Sequence, residues 1–331
     1  MMMSSVRIAG ICLALSVLFS AGCSRQPKKP ELETMNIAFQ EWVGYGPLYL
    51  AREKGFFKDE GMELIFIDER LDSARRDAFK QGMLDCEAGT IDLLVSKRAQ
   101  DTPVVAVLEL DHSVGGDGIV AIKDIQKIED LIGKRIAFAR DDVGETFLSY
   151  LFYKTGLSLD DITVVPRSPD DAWKALSEGK ADAVVTWGPW LSKAARMPDA
   201  HILISTKDYP GIIVDTLNVR EDIVRNNPEL LRKLMRGWFK AVKYYEKHPV
   251  ESSAIIAKFC NISPREYREG VEGIEWISYE EQMSAEHSGK RLEIFRAVSR
   301  IKFSEGRIHK EPNARESINT TLLEKLYENS E

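Results

Sequence analysis

What most constrains this chain is an alternation that runs from Met35 to Val219, in which short apolar runs rich in β-formers are separated by amphipathic segments of helix length. The strand candidates are 35–39, 64–67, 84–87, 104–110, 118–122, 135–139, 162–165, 182–186, 202–205 and 212–219. Beyond Pro228 the pattern is mostly helical, and the segment Pro228 to Tyr245 turns Leu230, Leu234 and Trp238 to one side. Strands joined through helices pair as parallel neighbours, which need a long crossover between them. The pattern therefore predicts an α/β chain of mainly parallel sheets with helices on both faces. A mature length of about 300 residues suggests two domains or lobes.

Two segments repeat one local design. "DAFKQGMLDCEAGT" from Asp77 and "DAWKALSEGKADAVVTWGPW" from Asp171 each carry Asp-Ala-aromatic-Lys, then a glycine where the helix ends (Gly82, Gly179), an aspartate three residues on (Asp85, Asp182) and a strand. "GYGPLYL" is echoed in "TWGPWLS". Two lobes built on one plan produce such echoes; so does the common grammar of helix, glycine and strand.

The loops that follow the strands hold the candidate binding residues. After strand 35–39, "EWVGYGP" places Trp42 and Tyr45 beside a helix start at Pro47, whose missing N–H costs nothing in the first turn. The carboxyl end of a strand in an open α/β sheet is where ligands bind, and the free N–H groups of a helix start favour anions. Trp42 and Tyr45 are then flat walls with a polar edge, or rings packed under the loop. The same position recurs at Gly89 and Thr90, at "RDDVGET" with Gly144 and Thr146, and at Trp187 before Gly188 and Pro189. Face to face, two such sets of loops make a cleft of aromatic rings, small residues and backbone donors.

The amino terminus, "MMMSSVRIAGICLALSVLFSAGC", has one cationic residue, Arg7, an apolar run from Ile8 to Phe19, and small residues before a cysteine, the pattern of a secretory signal. It is too short for a spanning helix with its usual flanks, and no second apolar stretch is long enough. Its end, Ser-Ala-Gly-Cys, resembles a bacterial lipoprotein signal, whose processing leaves Cys23 as the lipidated first residue, although Ser20 stands where an aliphatic residue is usual. The alternative is ordinary cleavage and release. Residues 24–34 read as a tether. Once Cys12 leaves and Cys23 carries lipid, Cys86 and Cys260 remain; their spacing fits no metal motif, and they read as buried thiols or a disulfide. No metal and no cofactor is expected. Without Arg7 the chain has 44 basic and 52 acidic residues, about −8, which argues against nucleic acid as a partner.

These residues resemble the solute-binding proteins of nitrate/taurine/sulfonate-type ABC importers, which are similar in turn to proteins of the thiamine pyrimidine precursor. "WVGYGPLYLAREKGFF", "SVGGDGIVAIKDIQKIEDLIGKRIAF", "VGETFLSYLFYKTGL", "DAWKALSEGKADAVVTWGPWLSKA" and "VDTLNVREDIVRNNPELLRKLMRGWFKA" follow in that family's order over about residues 35 to 300. The resemblance implies the two-lobed type II periplasmic binding fold: lobe one of 35–117 plus 218–331, lobe two of 118–217, and hinges near 115–121 and 212–218. It implies a pocket of Trp42, Tyr45, Gly89, Thr90, Asp117, Arg140, Gly144, Thr146, Trp187 and Asp215. Two places depart from the family: Trp187-Gly188-Pro189 stands where many relatives read Trp-Glu-Pro, and Glu145-Thr146 where relatives with anionic ligands place Ser and His. The rim then carries Glu41, Glu87, Asp117, Asp141, Asp142, Glu145 and Asp215 against Arg140, with Asp141 and Asp142 reading rather as N-caps or solvated loop charges. If the acids face inward with Trp42 and Trp187 a cationic or ring ligand gains, and if Arg140 and the helix starts face inward an anion gains.

The function implied is an exported, membrane-anchored binding protein facing the periplasm or cell exterior. It captures a small molecule, a sulfonate- or nitrate-like anion or a pyrimidine-like ring, as a monomer, and delivers it to an ABC permease with its ATPase subunits. The alternatives are a ligand-sensing accessory lipoprotein of the same fold and an enzyme of pyrimidine-precursor synthesis. The sequence has no Gly-x-Ser-x-Gly elbow, His-Glu-x-x-His or phosphate loop; of its five histidines only His112 lies near a hinge, and it reads as structural.

Overall fold

The alternation condenses into two separate mixed sheets. The structure is a computed structural model that describes residues 31–68 and 72–327; the signal segment, Cys23 and residues 24–30 of the tether lie outside them. The strands are β1 (Glu33–Phe39), β2 (Met62–Phe66), β3 (Cys86–Thr90), β4 (Val104–Ser113), β5 (Asp117–Ile122), β6 (Arg135–Phe138), β7 (Thr163–Pro166), β8 (Ala183–Trp187), β9 (Ala200–Ser205), β10 (Val214–Arg220) and β11 (Ile274–Trp276). The first sheet has the order β11-β4-β10-β3-β1-β2 and the second β7-β6-β8-β5-β9. β11, three residues long, had no signal in the alternation.

The sheets are mixed rather than mainly parallel. β1, β2 and β3 are parallel, as are β6, β7 and β8. The strands next to the crossings between sheets, β4, β5 and β10, run against their neighbours. The reason lies in the path: the chain leaves the first sheet at Ser113, starts the second at Asp117, and returns from Ser205 to Val214. A strand that re-enters at the end where its neighbours finish has to run the other way.

Helices cover both faces. Gly46–Lys54 and Pro228–Lys247 pack Leu48, Leu231, Leu234 and Trp238 on one side of the first sheet. Ile91–Ala99 and Ala285–Ser304 pack Leu94, Phe295 and Val298 on the other. In the second sheet Val143–Thr155 contributes Phe147, Leu148 and Leu151, opposite Ala172, Ala175 and Leu191 of two shorter helices. Each is the buried stripe of an amphipathic segment. Cys86 and Cys260 are both free thiols, the first buried and the second half-buried. No helix among the described residues is long and apolar enough to cross a membrane.

Candidate functional site

The antiparallel strands bring acids to the same end as the aromatic loops. Because β5 and β10 start where β8 and β3 end, Asp117 lies opposite Trp187, and Asp215 opposite Thr90. Asp215 also faces Asp111 of β4. The loop after β1 closes over them: Trp42 donates its indole N–H to Asp111 Oδ1 at 3.0 Å, and the Tyr45 hydroxyl donates to Asp215 Oδ1. That loop is pinned from below, where the Tyr267 hydroxyl donates to the Val43 carbonyl at 3.0 Å and the Trp276 indole to the Gly44 carbonyl at 2.8 Å.

These groups enclose a cavity of about 30 Å³, lined by Glu41, Trp42, Tyr45, Arg75, Gly89, Thr90, Asp117, Asp142, Trp187 and Asp215 among others. That is room for a water molecule or two. Gln40, Glu41, Leu93, Asp142 and Trp187 also line a wider outer space of about 600 Å³ between the sheets. Asp117, Asp215 and Trp187 are 4%, 2% and 6% exposed, yet Asp117 Oδ2 and Trp187 Nε1 meet no protein partner.

Burial sets the electrostatics. It pushes the Asp117 carboxyl up to about 7, with Asp142 and Asp92 adding repulsion against the bond from Ser113. It pushes Asp111 up to about 7 as well, and Asp215 well above the usual carboxylate range, where the charge of Asp111 raises it further. Desolvation is the largest cause in all three. Glu87, fully buried on β3, is differently placed: Arg75 Nε lies 3.1 Å and Lys97 Nζ 2.9 Å from its oxygens.

Seven of the expected residues, Trp42, Tyr45, Gly89, Thr90, Asp117, Trp187 and Asp215, line the cavity. Three do not. Arg140 is half-exposed and bonded to Glu145 at 2.7 Å, one helical turn on, so it faces the outer space. The Thr146 hydroxyl turns away to Asp92 Oδ2 at 3.1 Å, and Gly144 packs against Val185. The start of that helix reaches the cavity through Asp142, which caps the Val143 N–H at 2.6 Å, and Val143 itself. Thr90 precedes its helix without a capping bond and donates instead to Asp92. Sequence reasoning missed Asp111 and Arg75; Asp142, which it placed on the rim as a cap or a solvated charge, is both the cap and a wall. Asp111 closes a run that is apolar except for Glu109, and nothing local marks its side chain as facing Trp42.

One other group has the chemistry to hold a metal ion. Glu109, His112 and His287 bring one ligand atom each within 4.8 Å of one another, the one such group among the described residues. Both Nε2 atoms meet the same oxygen of Glu109, at 2.8 and 2.7 Å, and Arg291 pairs with the other. His112 is therefore structural in the sense that it shares a buried carboxylate with a second histidine.

Comparisons with known proteins fit this arrangement. The chain is 25% identical over 280 residues to an aliphatic sulfonates-binding protein of Bacillus subtilis, covering 77% of this chain and 80% of that one. It is 25% identical over 237 residues to 4-amino-5-hydroxymethyl-2-methylpyrimidine phosphate synthase of Aspergillus parasiticus, covering 66% and 67%. The fold matches the periplasmic aliphatic sulphonate binding protein SsuA of Escherichia coli with a TM-score of 0.75 at 16% identity, over 87% of this chain and 92% of that one. The two-sheet architecture with a cleft at the strand ends is thus that of periplasmic binding proteins. The family model described as NMT1/THI5 like matches residues 42–252, from the first cleft aromatic into the helix Pro249–Phe259, and the chain belongs to that family.

Proposed function

We propose that this protein is the extracytoplasmic solute-binding component of an ABC importer. It captures a small molecule by closing two lobes over it and delivers it, chemically unchanged, to a membrane permease served by ATPase subunits. The observation that carries the reading is the division of the cavity's walls: Trp42, Tyr45 and Thr90 belong to the first sheet's side, Asp117, Asp142 and Trp187 to the second. A molecule held there touches both halves, and the small space between them has to open to admit it. On this reading lobe one carries β1–β4, β10 and β11 and lobe two β5–β9, so the crossings fall at residues 114–116 and 206–213 in place of the expected 117 and 217. Lipid on Cys23 holds the monomer at the outer face of the membrane.

The relatives' names set the candidate ligands, sulfonate-like anions and pyrimidine-like rings, to which nitrate is added by the sequence resemblance. Thermal unfolding and small-angle scattering of the soluble chain against these compounds test the reading. A ligand at a hundred times its dissociation constant adds about 2.7 kcal/mol, which moves the midpoint by several degrees and is expected to shrink the radius of gyration. Mass spectrometry should return the compound intact. A shift without compaction, or a ligand recovered as product, overturns the reading. Uptake that persists in cells lacking the protein, with a ligand response lost, would assign it to sensing instead.

A further inference from the structure

The cavity's own chemistry says which charge it takes. Glu41, Asp117, Asp142 and Asp215 line it, Asp111 is hydrogen-bonded to Trp42, and Arg75, the one cationic wall among the described residues, lies against the buried Glu87 at 3.1 Å. The basic residue that sequence placed in the pocket, Arg140, is committed to Glu145 outside it. The walls include three aromatic rings, those of Trp42, Tyr45 and Trp187. Asp117 Oδ2 is a buried acceptor with nothing to accept from, at a side chain 4% exposed, and Trp187 Nε1 is a buried donor with nothing to donate to. An orphaned buried carboxylate oxygen costs free energy until a donor reaches it.

We propose that this pocket binds a small organic cation whose N–H groups or positive charge sit on Asp117 and Asp215 between the indole rings, and that it excludes bare oxyanions. A cation gains three things here. It satisfies the orphan oxygen of Asp117 with a charge-assisted bond. It relieves the repulsion among Asp111, Asp117 and Asp215. It lies against aromatic faces that attract positive charge, most strongly when desolvated. An oxyanion meets four carboxylates in a cavity where charge is weakly screened, and the one orphaned side-chain donor it meets among the described walls is Trp187 Nε1. This rests on the solute-capture reading and narrows it.

The sign of the pH dependence separates the two ligand classes. The groups facing the site from every element around it are Asp111, Asp117, Asp142, Asp215, Asp92, Glu41, Glu87, Tyr45 and Arg75. With Asp117 empty at about 7, a cation that needs it ionised binds about 30-fold more tightly at pH 8 than at pH 5.5. An anion gains in the opposite direction, because protonation removes the repulsion.

The test uses probes whose charge does not change over that range: benzamidinium, methylguanidinium and choline against ethanesulfonate and nitrate, each titrated calorimetrically into the soluble chain at pH 5.5 and 8.0, up to 10 mM. The expected result is binding of at least one cation, tighter at pH 8.0, weakened at least tenfold in Asp117→Asn and unchanged in Arg140→Gln. Ethanesulfonate or nitrate binding that tightens at pH 5.5 overturns the cation assignment and leaves solute capture standing. Cation binding with the same affinity in Asp117→Asn overturns the assignment to this pocket. Silence from both classes overturns the assignment and the capture reading together. Should Asp117→Asn fail to fold, Trp187→Phe removes the orphan donor and one wall, and the same loss is expected there.

Discussion

Asp117 and Trp187 lie opposite each other across β5 and β8, and each carries a buried polar atom that no protein group meets. The pairing is a consequence of topology. β5 begins where β8 ends, so the first acid of one strand and the last ring of the other are held at one level by backbone hydrogen bonds, without a loop to place them. A site assembled this way is rigid on the second-sheet side, and its recognition groups cost stability while empty.

That cost predicts a pH dependence. The Asp117 carboxyl sits at about 7 in the fold against about 3.9 in an unfolded chain, so the fold favours its neutral form. The stability this represents is fully present below the unfolded value and is lost as pH rises through 7. The ligand-free protein is therefore expected to be more stable at pH 5 than at pH 8. Asp117→Asn should flatten that slope and raise stability at pH 8 by an amount on the order of 3 kcal/mol. Denaturant unfolding at the two pH values checks it; a wild type that gains stability from pH 5 to pH 8 by virtue of this residue contradicts it.

Closure has its own contacts, beside the pocket and behind Thr90. The Thr146 hydroxyl donates to Asp92 across the cleft, and Lys302 Nζ lies 3.1 Å from the same oxygen. Thr146→Val keeps the shape and removes the donor. The expected outcome is an open form populated more, with a larger radius of gyration without ligand and affinity weakened about tenfold or more, for a hydrogen bond to a carboxylate of about 1.5–3 kcal/mol. Unchanged scattering would show that the bond does not hold the halves together.

The aromatic walls were legible in the sequence because each stands beside a glycine or proline at a strand's end, where the chain has to turn and the sheet's carboxyl edge opens. Arg140 misled for a physical reason: a basic residue in a loop looks available, and its partner, Glu145, appears only once the helix start brings it within one turn. Asp111 was illegible, since it closes a mostly apolar strand in which only Glu109 is also charged. Its placement depends on β4 pairing with β10, more than a hundred residues later, where Asp215 pairs with Asp111 but Thr216 with Glu109. Leu110 is thereby left over as a bulge, a device that re-aims neighbouring side chains.

The same bulge makes a second prediction. It lets Glu109 and His112, three apart on a strand of period two, meet on one face, where His287 and Arg291 of the helix Ala285–Ser304 reach them. Gln282 completes the set through both main-chain groups of Glu109, at 3.0 and 2.9 Å. Glu109→Gln leaves the buried Arg291 without its counter-charge and should cost about 3–5 kcal/mol. Hydrogen exchange is expected to rise first in Ala285–Ser304, which loses its anchor to β4 before the sheet itself opens. Uniform loosening of both sheets would show that the network does not act locally.

The passage between the sheets is the last place where one atom decides. Gly116 N donates to the Gly273 carbonyl at 3.0 Å, and a Cβ on Gly116 would fall 2.6 Å from the Trp42 ring and 3.1 Å from that carbonyl oxygen. Neither neighbour can yield independently: the ring is tied to Asp111 and the carbonyl is backbone. Gly116→Ala should therefore push Trp42 off Asp111, at a cost of about 1–3 kcal/mol, and weaken ligand binding more than stability explains. Tryptophan emission compared with and without Gly116→Ala, in the parent and again in Trp42→Phe, isolates the displacement of Trp42 among the chain's six tryptophans. If the emission is the same with and without Gly116→Ala, the hinge tolerates the methyl group and Trp42 is not set by its approach.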